Sequence, residues 1–277
     1  MMSRWLLSPF MLRFVFFVER WVLSAIFLFL GYEYISTLQL MHLVAQSSDM
    51  MPPAAVASDA GFIDGVHFED FARYGLLAGT NLLCGVLLLT SRKPSRYPTH
   101  ASQVVVPLVA TFSYMLFNQN MRLPAWLTTP FVPATWSTSL AAAGVVFSVF
   151  GALLSLWSIL WLGRSLGIVV SVREIVLVGP YRYVRHPIYL GYGFLFLGLF
   201  LTACTVRMTL LSGGAFALLW WRARLEETVL SAHSPAYREW MQHTGFLWPT
   251  WQGWAGRTHP HPSTDLTPAA PGHSVSK

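Results

Sequence analysis

The chain of 277 residues is 54% hydrophobic and only 11% charged, with a mean hydropathy of +0.50. A soluble domain carries about 25% charged residues, so this composition excludes a soluble globular fold and points to an integral membrane protein. The net charge of +6 is scattered at the ends of apolar segments, which excludes a basic face for nucleic acid.

In chain order, residues 14–42 form the first apolar run, interrupted by Glu19-Arg20 near its start and by Glu33. It is too long for the apolar part of a signal peptide and reads as a retained span. Residues 49–72 hold Pro52, Pro53, Asp59, Asp64, Glu69 and Asp70 and make an acidic loop. A second span over 73–90 is closed by Arg92, Lys93 and Arg96, with Pro94 and Pro98 ending the helix. Further spans are expected at 103–119, 136–162, 187–204 and 208–221, with a loop carrying Pro124, Pro130 and Pro133 before the fourth. The last two are joined by a turn so short that they must be antiparallel neighbours. Cys84 and Cys204 fall inside apolar segments and read as small buried hydrophobes, neither a disulfide nor a metal pair. Glu33, an ionisable residue inside a span, is a functional candidate by default, with pairing to Asn81 in the second span as its structural alternative.

The expected fold is therefore an all-α, polytopic membrane helical bundle of about six spans. Of the 18 Lys and Arg residues, only Arg73, Arg122 and Arg207 fall on the side opposite the termini. By the positive-inside rule both termini are cytoplasmic, at the inner or plasma membrane if the chain is bacterial. Three regions follow: a four-span region 1–162, a core 163–249, and a tail 250–277 whose Pro, His, Ser, Thr and Gly content reads as disordered. His259-Pro260-His261 in that tail lacks the fixed geometry a metal site needs, and no metal is expected.

Chemistry concentrates in Leu177–Gly193, LVGPYRYVRHPIYLGYG, which joins a polar segment to an apolar one. Arg182, Arg185 and His186 cannot lie in hydrocarbon, where an Arg costs roughly 2.5–3.5 kcal/mol on insertion scales. Pro187 suits the first position of a helix, and the free N–H groups that follow favour an anionic group. A second cluster ends the sixth span: in RARLEETVLSAHS, Arg222 and Glu226 sit one turn apart with Glu227 beside them. Ser234-Pro235 reads as an N-cap and restart, opening a short amphipathic helix through Tyr237, Trp240 and Met241 that could lie on the membrane surface. Adjacent antiparallel spans bring the two clusters together at the cytosolic face. Their arginines, carboxylates, imidazole and aromatic rings suit a zwitterionic, nucleotide-like ligand with a positive centre. No GxGxxG follows a predicted strand, which excludes a soluble Rossmann-type enzyme.

GPYRYVRHPIYLG, then RxxxEE, then PAYxxW…P resembles the isoprenylcysteine carboxyl methyltransferase family and the wider group of membrane methyltransferases that includes phospholipid N-methyltransferases. The resemblance covers roughly Leu162 to Pro249. It implies S-adenosylmethionine bound in a cytosolic pocket made by the last two spans and the C-terminal helix, with a lipophilic or lipidated acceptor entering from the bilayer. His186, Pro187, Tyr189, Leu190 and Gly191 would belong to the cofactor site, bordered by Tyr181 and Tyr183 and closed by Glu226 and Glu227. Arg222, nearest the acceptor, and Glu226 would be catalytic. Where many relatives have Phe-Gly before the Tyr237 helix, this chain has His233-Ser234-Pro235. Carboxyl O-methylation is the first expectation and phospholipid N-methylation the alternative. A sterol-reductase-like enzyme using NADPH, or a subunit that kept only the fold, are the rivals. Each motif also has a plain structural account. Arg222–Glu226 serves as an i,i+4 pair, Arg182 as a positive-inside residue, and Gly191 and Gly193 as close-packing positions.

Overall fold

The computed structural model describes residues 9–50, 68–113 and 124–250. Most of the acidic loop, the end of the third span and Arg122 after it, and the tail with His259-Pro260-His261 lie outside the described residues.

Helix α1 (Pro9–Phe17) passes through a π-helical turn (Val18–Leu23) into α2 (Ser24–Met50). Then come α3 (Phe68–Leu89), α4 (Ser102–Phe112), the single turn α5 (Ala125–Thr128) and α6 (Ala134–Leu162). After two short 3-10 turns, Gly163–Ser165 and Gly179–Arg182, follow α7 (Pro187–Ala203), α8 (Val206–His233) and α9 (Pro235–His243). The architecture among the described residues is helical, with isolated β-bridges and no named strand. Two segments, Phe10–Leu43 and Ala134–Ser165, are long and apolar enough to cross a membrane. Trp136 and Trp157, both exposed on α6, stand about 32 Å apart at 1.5 Å per residue, close to the roughly 30 Å of a bilayer's hydrocarbon core. Exposed Phe10, Phe14, Phe29, Val146 and Phe150 give these helices an apolar outer surface.

Small residues decide which helices touch. On α6, Gly144, Ser148, Gly151 and Ser155 recur at spacings of four and three, so they share one face. That face meets Gly191 and Gly198 of the antiparallel α7: a Cβ on Gly144 would lie 2.7 Å from the Gly198 carbonyl oxygen, and one on Gly191 would lie 2.7 Å from that of Gly151. Without a hydrophobic drive between helices in lipid, such backbone approach is what holds them. Gly31 against Leu82 and Gly85 against Leu28 pair α2 with α3 in the same way.

The turn from α7 to α8 is as short as expected. Cys204 takes a left-handed conformation (φ 46°), and the Thr205 side chain caps α8 by accepting the Met208 N–H at 3.1 Å. The sixth apolar segment ends near 221, and its helix continues unbroken to His233, where Ser234-Pro235 is expected to stop and restart it, carrying Arg222–Glu227 out of the apolar stretch. Asn81 does not pair with Glu33. It donates to the Leu77 carbonyl of its own helix at 2.8 Å, and Glu33 is exposed.

At the end opposite that turn, the loop after α3, the segment 163–186 and the residues after α9 come together. Arg92 N–H donates to the Arg164 carbonyl, Arg96 bridges Val172, and Val184 bridges Gly245. Segment 166–178 thereby forms an extended strap across this end of the bundle.

Candidate active site

Pro187 fixes the start of α7, so the residue before it, His186, is held at the helix N-cap and faces the end of α8. The His186 ring stacks on Tyr189 (centroids 5.3 Å apart, planes 16°) and meets Phe246 edge-on at 5.0 Å. Its Nδ1 lies 3.9 Å from Glu226 Oε2, and its Nε2 lies 3.4 Å from Glu227 Oε1. Nε2 is buried without a hydrogen-bond partner, as is the Tyr181 hydroxyl.

The two glutamates, neighbours on α8, have different surroundings. Glu227 is buried (4% exposed) and takes the Arg185 Nε–H at 2.5 Å, with half-exposed Arg224 at 3.5 Å. Arg185 also donates to the carbonyls of Met241 and Thr244 and stacks on Phe246, which clamps the chain after α9 against α8. Burial alone would raise the pKa of Glu227. The adjoining His186 and Arg185 outweigh it and hold the carboxyl below its ordinary value. Glu226 is more open, its side chain 24% exposed. Its Oε1 accepts the Tyr189 hydroxyl at 2.5 Å and Arg222 Nε–H at 3.2 Å. Arg222, itself buried, also donates to Thr111 Oγ1 (3.0 Å) and to the Gly167 carbonyl (3.1 Å) and lies over the Tyr189 ring.

These groups open onto a cavity of about 1180 Å³. Tyr181, His186, Tyr189, Arg222 and Glu226 line its polar end, with Tyr237 and Trp240 of α9. From there an apolar arm runs between the helices past Leu88, Val149, Ile159, Tyr192, Leu195 and Leu199. Burial raises the pKa of Tyr181 and of Tyr237, with Glu226 and Glu227 adding to it, so both hydroxyls stay protonated at neutral pH.

Five of the ten site residues expected from the sequence thus share one cavity lining. The others do not reach it. Glu227 stands behind His186, and Pro187 is buried at the helix start. Tyr183 is 43% exposed. Leu190 packs toward Leu247 and Phe216 in a separate outer groove, and Gly191 is consumed by the contact with Gly151 and Ser155. Sequence reasoning set Tyr237 on the membrane surface, whereas it is 3% exposed and forms part of the cavity wall. It missed Thr111, Phe246 and Gly167 altogether, and it gave Arg185 no role in the clamp.

Residues 139–234 match the family model for phospholipid methyltransferases. The match agrees with the resemblance carried by the hinge and the glutamate pair. The matched segment takes in nearly all of α6, the strap, α7 and α8, and stops before α9. No curated protein matches the chain. Taken with the apolar helices, the family match implies a membrane methyltransferase acting on lipid-like substrates.

Proposed function

We propose that the chain transfers the methyl group of S-adenosylmethionine to an acceptor whose polar end lies beside Glu226 and Arg222 and whose apolar part fills the arm of the cavity. The cavity carries this reading. A drug-sized ligand occupies roughly 300–1,000 Å³, so about 1180 Å³ with one polar and one apolar end has room for a cofactor and part of a second molecule. Tyr181 brings a buried hydroxyl that lacks a hydrogen-bond partner, which fits a polar ligand at that end. The aromatic rings of Tyr181, Tyr237 and Trp240 suit an adenine face or a sulfonium. The proposed topology has about six spans, with the polar end and both termini in the cytosol, since the basic residues of the strap, the loop after α3 and α8 gather there.

When bound, the cofactor supplies a methyl carbon on sulfur together with its own leaving group. The protein then has to position the acceptor, exclude water and manage one proton. Tyr189 and Arg222 both donate to Oε1 of Glu226, so Oε2 remains to take a proton from an attacking amine. The strap and α9 cover the polar end. An amine acceptor fits best, because Glu226 is the open carboxylate while Arg222 already binds three protein partners. Carboxyl methylation is the second reading, favoured by the position of Arg222 in the cavity wall, where it could orient an ionised acceptor that needs no base.

Transfer of a labelled methyl group to phosphatidylethanolamine and to farnesylcysteine, by wild type and Glu226→Gln, separates the two. Loss of N-methylation by at least about a hundredfold in the variant is expected of a general base. Methyl transfer to farnesylcysteine that survives Glu226→Gln would establish the carboxyl reading, and a wild type that binds NADPH but no S-adenosylmethionine would replace both.

A further inference from the structure

The structure assigns Glu19, in the first helical run, as the positioning residue for Arg222, acting through the single peptide unit between Gly167 and Ile168. This assignment rests on the methyltransferase reading only for the purpose of Arg222. The relay itself is a matter of geometry.

Glu19 is a buried carboxylate (3% exposed) within the π-helical turn of an otherwise apolar helix. A π turn inserts one residue and re-aims the side chains around it, and such turns recur at functional sites. Here Glu19 meets the strap. Its Oε1 accepts the N–H groups of Ile168 (2.6 Å) and Val169 (2.9 Å), and its Oε2 pairs with Arg173 at 2.7 Å. A buried charge unpaired in this position would be costly, and the three donors satisfy it.

The N–H of Ile168 belongs to the same peptide plane as the carbonyl of Gly167. All described peptide bonds are trans, so the two groups point in opposite directions across a rigid plane. On one side Glu19 holds the N–H. On the other, the carbonyl accepts Arg222 Nη2–H at 3.1 Å. A carboxylate on the N–H polarises the peptide and strengthens its carbonyl as an acceptor, as linked hydrogen bonds do in a low dielectric. Glu19 therefore sets where the Gly167 oxygen sits and how firmly it holds the guanidinium. The Arg173 guanidinium lies against the Gly167 Cα, in the space a side chain would need. Glycine at 167 is thus what lets Arg173 and Arg222 approach the same peptide from its two sides.

The next strap residues are tied elsewhere. The Val170 N–H donates to the Gln103 carbonyl and the Val172 N–H to that of Arg96. Val170 is consequently an internal reference for any effect that runs through the Gly167–Ile168 plane.

The test uses the full chain in detergent, with residue-resolved amide hydrogen exchange and methyl transfer measured on the same variants. Glu19→Ala should speed exchange at Ile168 and Val169 about tenfold, as the loss of a charge-assisted bond implies. Arg222→Gln should speed Ile168 but leave Val169 and Val170 at wild-type rates, an asymmetry that general loosening cannot produce. Glu19→Gln keeps a neutral acceptor oxygen for the N–H groups but loses the charge and the Arg173 ion pair, so it should speed exchange at Ile168 by less than Glu19→Ala does. Unchanged Ile168 exchange in this variant would also count against the relay, which keeps the assignment testable if the alanine variant does not fold. In methyl transfer to whichever of phosphatidylethanolamine and farnesylcysteine the wild type accepts, Glu19→Ala should lower kcat/KM, and the loss should vanish in an Arg222→Gln background. Unchanged Ile168 exchange in Arg222→Gln, or strictly additive kinetic losses, would overturn the relay. Failure of the wild type to bind S-adenosylmethionine would instead sink the methyltransferase reading and leave the exchange result standing.

Discussion

Replacing Arg185 by Ala tests the clamp on which the polar end depends. Arg185 is nearly buried and bonds to Glu227, Met241 and Thr244, so its removal leaves Glu227 in the interior with a weaker set of partners. Breaking a buried ion pair from one side costs about 3–5 kcal/mol. Glu227 retains His186 at 3.4 Å and half-exposed Arg224 at 3.5 Å, which places the expected loss near the lower end, about 3 kcal/mol. Unfolding by SDS titration in mixed micelles would measure wild type, Arg185→Ala, Glu227→Gln and the double variant. Most of the penalty comes from the stranded charge rather than from the lost bond. The double variant should therefore be more stable than Arg185→Ala alone. A loss in Arg185→Ala below about 0.5 kcal/mol, the range of an ordinary surface change, would refute the clamp, and so would a double variant at least as unstable as the sum of the singles.

Two further outcomes follow from the packing and the charges. Gly191→Ala should destabilise by about 1–3 kcal/mol through overpacking against Gly151 and Ser155, whereas Gly79→Ala, with open space around it, should be neutral or stabilise by up to about 1 kcal/mol; equal effects in the same titration would contradict the α6–α7 seam. The lowered pKa of Glu227 means that its contribution is complete above the ordinary carboxylate range, near about 4.3, and is lost as pH falls through the lower folded value. Wild type should lose stability below that range more steeply than Glu227→Gln, and parallel pH curves for the two would refute the assignment.

How much of this was legible in the sequence depends on the range of the interaction. Pro187 at a helix start and Ser234 capping Pro235 are local rules, and the structure shows both. The meeting of His186 with Glu226 and Glu227 was also readable, because a turn as tight as Cys204-Thr205 leaves two long helices no choice but to lie side by side. The packing partner of Gly191 was not readable from its own segment because it lies on another helix, although the small-residue spacing of Gly144, Ser148, Gly151 and Ser155 carried the signal. Asn81 satisfies itself one turn back in its own helix, a local bond that outcompetes a distant carboxylate. Glu19 looked like an interruption near the start of a span. Its partners are 149 and 150 residues away in a strap without periodicity, and only the folded chain shows that it is needed there.

The central claim is most directly tested by binding of S-adenosylmethionine to the detergent-purified chain, with His186→Ala and Glu226→Gln alongside. Micromolar binding by wild type that is weakened in both variants is the predicted result. No binding by the wild type, or binding that both variants leave untouched, would contradict the account of the site.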